Sequence, residues 1–179
     1  MKTYFLLTSL VIVLFSLTAN SQITKGNWMV GGDGSYYRHT YNGVSLISFS
    51  INPDIGYFIK DKLVIGSNLN YIYYASSERS TSTSRTIGAG VFTRYYFLKP
   101  QKIFNLFSQI HYNYNNFKSY TASSSSNFHK YGVKSGAVVF FTDNVGLELS
   151  LQYDYSSSKS FTSTYLIGNI GFHIHLEKK

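Results

Sequence analysis

The segment from Val145 to Tyr155, VGLELSLQYDY, places an apolar or aromatic residue at every second position. Glycine and polar residues occupy the positions between them, including Glu148, Gln152 and Asp154. An α-helix would scatter the two sets around its axis, whereas a β-strand directs them to opposite faces. This alternation predicts a strand with one apolar and one polar face.

The same alternation recurs along the chain and predicts eight strands. It is equally regular in Ile47–Ile59 and weaker in Trp28–Tyr37, Leu63–Tyr74, Ile87–Leu98, Leu106–Asn116, Tyr131–Phe141 and Leu166–Leu176. Each segment has about 10–13 residues, whereas globular strands typically have about 5–6 and tilted membrane-spanning strands about 9–11. Their length therefore favours strands that cross a membrane.

The links between these strands alternate between short and long. The short links are Lys60–Lys62, Lys99–Lys102 and Thr142–Asn144, and the long polar links are Arg38–Val44, Ala75–Ser84, Lys118–Asn127 and Ser156–Ser163. Outer-membrane barrels have short periplasmic turns and longer outside loops, and only a closed barrel satisfies every strand's backbone in lipid. We therefore predict an all-β protein, an eight-stranded antiparallel up-and-down transmembrane β-barrel.

The composition agrees with a protein that faces lipid. Aromatic residues make up 18% of the 179 residues and charged residues only 13%, about half the charged share of a typical soluble domain. The chain has no cysteine, which excludes disulfides, thiolate metal sites and a lipid-modified cysteine.

The N-terminus has the features of a secretory signal. Lys2 precedes an apolar stretch from Tyr4 to Leu17, and Ala19-Asn20-Ser21 supplies small residues at a cleavage site. The alternative, an uncleaved anchor, is disfavoured because this stretch is shorter than the run of about 20 residues that spans a bilayer. We expect a cleaved signal peptide at residues 1–21 and a barrel domain at residues 22–179.

Three segments resemble a known group of proteins. INPDIGYF at Ile51–Phe58, GVFTRYYF at Gly90–Phe97 and GAVVFFTDNVGLE at Gly136–Glu148 are similar to hairpins of small outer-membrane β-barrels from Bacteroidota, called porin-family or OmpX/OmpW-like proteins. The resemblance covers essentially the whole mature chain. It implies an outer-membrane location and insertion by the barrel assembly machinery. Such barrels usually end on an aromatic residue, and here Phe172 is the candidate for that signal.

The polar faces of the strands are expected to line the lumen. Its charge network is predicted from Asp54, Arg94, Lys134 and Glu148, with Arg94 and Lys134 bridging the two acids, because an unpaired charge in a narrow lumen is costly. Eight strands leave an interior that side chains just fill. A polar plug is therefore favoured over an open pore.

Basic residues are expected at the outer rim. They are Arg38, Arg79, Arg85, Lys118 and Lys159, with Lys130 beside them. Two interpretations remain: they bind lipopolysaccharide phosphates or an acidic partner, or they merely stabilise the barrel in an anionic leaflet. Outer-membrane lipid and lipopolysaccharide are the expected partners of a monomer with outside loops, periplasmic termini and no role in binding nucleic acid.

No motif points to catalysis, a cofactor or a metal. His39 and His129 near the outer rim belong to no catalytic sequence element, and His173 and His175 share a face without an evident third ligand. The sequence favours a non-enzymatic protein with a structural, envelope or surface-interaction role. A narrow porin-like channel for small solutes is the alternative, and a secreted lipocalin-like binding barrel is a more distant one.

Overall fold

The computed structural model describes residues 23–41, 43–76, 82–100, 102–120, 124–158 and 162–177. Eight antiparallel strands form a closed barrel in which each strand pairs with its neighbours in sequence and the last pairs with the first. The strands are β1 (Trp28–Tyr41), β2 (Val44–Lys60), β3 (Leu63–Ser76), β4 (Ser82–Tyr96), β5 (Phe104–Ser119), β6 (Ser124–Phe140), β7 (Val145–Ser157) and β8 (Thr162–Leu176). The predicted all-β, eight-stranded up-and-down barrel is confirmed. The predicted signal peptide, residues 1–21, lies outside the described residues.

We call the end of the barrel where the described chain begins and finishes the inner end, and the opposite end the outer end. The turns between β2 and β3, β4 and β5, and β6 and β7 lie at the inner end. Asp61 and Lys62 form the first of these turns, and Lys62 lies in the left-handed region at a φ of 69°. In the described ranges, no helix is long and apolar enough to span a membrane.

The strands are longer than predicted, with 13 to 17 residues. The long polar links were predicted as loops, and most of their described residues are instead strand at the outer end. Their hydroxyl and amide groups pair across strands, as in the 3.0 Å contact between Thr40 and Ser45 Oγ and the 2.7 Å bond from Asn116 to Asn127. The Ser-rich composition suggested loops because it does not reveal these cross-strand pairs.

Strand alternation separates the two faces as predicted. Large apolar side chains point outward from every strand and are at least 37% exposed: Val30, Ile55, Leu69, Val91, Ile110, Val133, Leu149 and Ile170. On β4 the outward apolar residues run from Ile87 to Phe97 just beyond the strand. At about 3.3 Å per residue and a tilt of about 40°, this segment is about 25 Å high, the height of a lipid-facing band.

Candidate functional site

The barrel interior has three layers from the inner to the outer end. The layer at the inner end is a packed apolar cluster. Its buried members are Ile23, Met29, Phe58, Val64, Phe92, Tyr96, Phe107, Val138 and Phe140. The ring centroids of Phe58 and Tyr96 are 6.1 Å apart, and the His175 ring lies 5.4 Å from Phe58 and 5.2 Å from Phe140. The segment before β1 covers this cluster, because Ile23 is fully buried and its carbonyl accepts a 3.0 Å hydrogen bond from Lys62 N. Side chains therefore fill the inner part of the barrel.

Charged groups form the middle layer, and Arg94 is its centre. Its Nη1 lies 2.7 Å from Oε2 of Glu148 on the opposite wall, and neither side chain is exposed. Its Nε donates a 2.8 Å hydrogen bond to Gln109, and its guanidinium lies 4.3 Å from the Phe107 ring centroid. The ion pair joins β4 to β7, and the ring contact connects the charged layer to the apolar cluster below it.

His173 links the two acidic residues of this layer. Its Nε2 lies 3.1 Å from both carboxylate oxygens of Asp54, and its Nδ1 lies 3.2 Å from Oε2 of Glu148. Gly31 of β1 pairs with Asp54 on one side and His173 on the other. A Cβ at Gly31 would lie 2.6 Å from the His173 ring. The missing side chain lets the carboxylate and the imidazole meet across β1.

The predicted bridge between Lys134 and Asp54 or Glu148 was wrong. Lys134 instead pairs with Asp33 of β1, which also accepts a 2.8 Å hydrogen bond from Asn52. The four predicted lumen residues all face the interior, but His173, which was not part of the predicted network, lies beside Asp54. Strand alternation gives the facing of a residue, whereas its partner across the lumen depends on the barrel's register.

A second polar cluster lies closer to the outer end. Asp154 Oδ1 is 2.8 Å from His111 Nε2, and Asp154 Oδ2 accepts a 2.8 Å hydrogen bond from Gln152 and lies 3.3 Å from Lys130 Nζ. The expectation that Lys130 belongs to the basic rim was wrong, because it occupies an inward position of β6 and is buried. The early start of β6 at Ser124 places it within the strand ladder.

Above this cluster the interior opens into a cavity of about 700 Å³ at the outer end. Its walls carry aromatic side chains, and its deeper part is lined by Asn70, Asn115 and Asp154. Within the described ranges, both amide atoms of Asn70 and Oδ1 of Asn115 lack a hydrogen-bond partner. An aromatic wall with a few polar groups is the composition of a small-molecule site. No three His, Asp or Glu side chains of the described part of the chain are placed to hold a metal ion.

The predicted basic rim is only partly assembled. Arg85 of β4 and Lys118 of β5 are directly paired, whereas Arg38 of β1 pairs with Ile47 and lies three strands away from Arg85. Arg79 and Lys159 lie outside the described residues. Tyr120, which no sequence pattern singled out, follows β5 and contacts both paired cations.

The chain matches no protein-family model and no curated protein. Among solved structures it resembles neisserial surface protein A, with 18% identity and a TM-score of 0.61 over 86% of this chain and 100% of that one. Outer membrane protein OprG from Pseudomonas aeruginosa has 10% identity and a TM-score of 0.61 over 89% and 99%. The N-terminal β-barrel domain of Pseudomonas aeruginosa OprF has 15% identity and a TM-score of 0.54 over 85% and 98%. The chain thus has the fold of small eight-stranded outer-membrane β-barrels.

Proposed function

We propose that the protein is an integral outer-membrane β-barrel with a structural or surface-interaction role, a lumen closed by its own side chains and no catalysis. In this proposal residues 1–21 are removed as a signal peptide, the inner end faces the periplasm and the outer end faces outside. The barrel acts as a monomer, is inserted by the barrel assembly machinery and belongs with the small porin-family barrels of Bacteroidota.

The observation that carries the proposal is the distribution of polarity across the wall. Exposed apolar side chains surround the outside, while Arg94, Glu148 and His173 are buried within. Soluble proteins rarely expose a continuous apolar surface larger than a few hundred Å². A soluble lipocalin-like barrel needs the reverse arrangement, with a polar exterior, so this distribution favours lipid as the surrounding medium.

The inner apolar cluster favours a closed lumen over a channel. Phe58, Tyr96 and Phe140 are fully buried in the inner part of the barrel. Above them the cross-barrel pair of Arg94 and Glu148 occupies the centre. The outer cavity ends at these layers, so it supports a pocket that opens outward rather than a passage for solutes.

The orientation rests on how far the hairpins extend beyond the apolar band. At the outer end the strands continue past it, as β4 does from Ile87 to Ser82, whereas at the inner end the apolar residues reach Phe97, just beyond the strand. Outer-membrane barrels have their longer extensions outside and their shorter ones in the periplasm. The outer end, with its cavity and paired cations, is then the part available for interactions outside the cell.

The experiment that tests this proposal compares gel mobility in SDS with and without boiling, after refolding into detergent. We expect the unboiled protein to migrate as a compact band that shifts on heating. Absence of a shift, together with solubility without detergent, would contradict the proposal and favour a secreted barrel.

A pair of variants on β5 distinguishes a barrel that is surrounded by lipid from one that is surrounded by water. Ile110→Arg places a charge within the apolar band and should destabilise a membrane barrel by about 2–4 kcal/mol, whereas Asn116→Arg near the outer end should cost about 0–1 kcal/mol. Both positions face outward on β5, and Ile110 is 59% exposed. In a soluble barrel both substitutions would be almost neutral.

A further inference from the structure

Two cations are placed side by side on the outward face of β4 and β5. Arg85 and Lys118 are directly paired in the strand register. Both occupy outward positions, because the inward set on these strands contains Thr86 and Asn115. Like charges directly opposite each other destabilise a sheet. This pairing therefore creates a repulsion that a bound anion would relieve.

The described residues offset only part of the repulsion between Arg85 and Lys118. No carboxylate of the described residues forms an ion pair with Arg85 or Lys118. The Tyr120 ring lies near both, with its centroid 5.5 Å from Arg85 Cζ and 5.7 Å from Lys118 Nζ. Tyr120 is held there because its backbone N–H donates a 3.0 Å hydrogen bond to Thr83 O of β4. An aromatic face attracts cations without neutralising them.

The pair also lies at a defined depth. Arg85 follows Ile87 as the next outward side chain of β4, about 6.6 Å further along the strand. Ile87 is the last apolar outward residue in this direction on β4, and Tyr73 lies opposite Arg85 on β3. Tyrosines mark the level of lipid headgroups in membrane barrels. The two cations are thus at headgroup level at the outer end.

We propose that Arg85, Lys118 and Tyr120 form a binding site for a phosphate group of lipopolysaccharide in the outer leaflet. This inference rests on the proposed membrane location and orientation. The guanidinium can donate two parallel hydrogen bonds to a phosphate, and the ammonium adds a second positive charge. A phosphate between them turns the repulsive pair into two attractive contacts. Arg38 lies three strands away and forms no part of the site.

The test measures binding of fluorescently labelled lipopolysaccharide to the refolded full chain in zwitterionic detergent. We expect Arg85→Gln/Lys118→Gln to weaken binding by at least about tenfold, because it removes the charge-assisted hydrogen bonds. The matched control is Lys60→Gln/Lys102→Gln, which removes two exposed cations at the inner end and should leave binding unchanged. Equal binding by the wild type and the Arg85/Lys118 variant would overturn the proposal.

Two further variants test the roles of Arg85 and Tyr120, and two competitors identify the bound group. Arg85→Lys keeps the charge but loses the two-pronged contact, so we expect intermediate binding, and Tyr120→Ala should weaken it less than the double variant. Lipopolysaccharide stripped of its phosphates should not compete, and competition by it at the same concentration would overturn the assignment. If inorganic phosphate competed at the same concentrations as lipopolysaccharide, the assignment of the bound phosphate to a lipid would be overturned.

The gel shift on the same samples separates the two proposals. A wild type that shows no heat-dependent shift contradicts the membrane barrel itself. A normal shift in every variant, with binding that does not depend on Arg85 and Lys118, contradicts only the phosphate site.

Discussion

The inner and outer parts of the barrel interior are built by the same eight strands and are filled differently. At the inner end the inward positions carry large rings such as Phe58, Phe92 and Phe107, and the cluster excludes solvent. At the outer end rings such as those of Tyr74 and Phe117 are interspersed with small residues such as Ser48, Thr86 and Ser156, and a cavity of about 700 Å³ remains. The share of small side chains at inward positions thus decides where an eight-stranded barrel is closed.

The charged layer between the two parts should show the largest mutational effect. Arg94→Met leaves the buried Glu148 carboxylate beside the His173 imidazole but without its guanidinium partner, and we expect a loss of about 3–5 kcal/mol of unfolding free energy. The measurement is a urea titration in lipid vesicles that follows the heat-modifiable band. Arg85→Met, the same change at a partly exposed outward site, is the control and should cost little. Equal losses would show that the Arg94 pair does not hold the barrel together.

One substitution in the inner part of the interior and one in the outer part test whether the two parts are filled differently. Phe58→Ala opens a void in the packed inner cluster and should cost about 3 kcal/mol, whereas Phe117→Ala enlarges an existing cavity and should cost less than about 1 kcal/mol. Both are measured by the same titration. A similar cost at the two positions would contradict the distinction between a filled and an open part.

Gly31 tests the contact between Asp54 and His173. In Gly31→Ala the added methyl group meets the His173 ring and the Phe172 carbonyl, so we expect a loss of about 1–3 kcal/mol. Gly168→Ala is the control because nothing lies within 4 Å of its Cβ. If both variants unfold at the same urea concentration as the wild type, the close approach across β1 is not a constraint.

A smaller effect is expected in the polar cluster near the cavity. Asp154→Asn removes the charge but keeps a side chain of the same shape with an oxygen that can still accept a hydrogen bond from His111 or Lys130, so the cost should be about 1 kcal/mol. A loss as large as that of Arg94→Met would place Asp154 in the same tightly packed layer as Arg94.

The strands and the directions in which their side chains point could be predicted directly from the sequence. The period of two in Val145–Tyr155 follows from the pleat, so the inward position of Glu148 and the outward position of Leu149 were both predictable. Strand ends were less predictable, because the Ser/Thr-rich segments beside Ser82 and Ser124 satisfy both loop and strand composition.

Contacts across the barrel were predictable only in part, because the predicted network includes the observed pair of Arg94 and Glu148 but not the other contacts of this layer. The pairing of Lys134 with Asp33 and the bridge made by His173 depend on which strands face each other after closure. The absence of a side chain at Gly31 leaves space for the contact between Asp54 and His173, and this becomes evident only when β2 and β8 are known to flank β1. The site at Arg85 and Lys118 likewise needed the register, because the two residues are separated by more than a whole strand and a turn in sequence.

The central claim is that side chains close the lumen, and ion conductance in a planar lipid bilayer tests it most directly. Protein whose fold has first been verified by the gel shift is inserted, and the current is recorded under an applied voltage. We expect no stepwise current from the wild type. Reproducible current steps whose ion selectivity changes in Arg94→Glu would contradict the closed lumen and establish a channel through the charged layer.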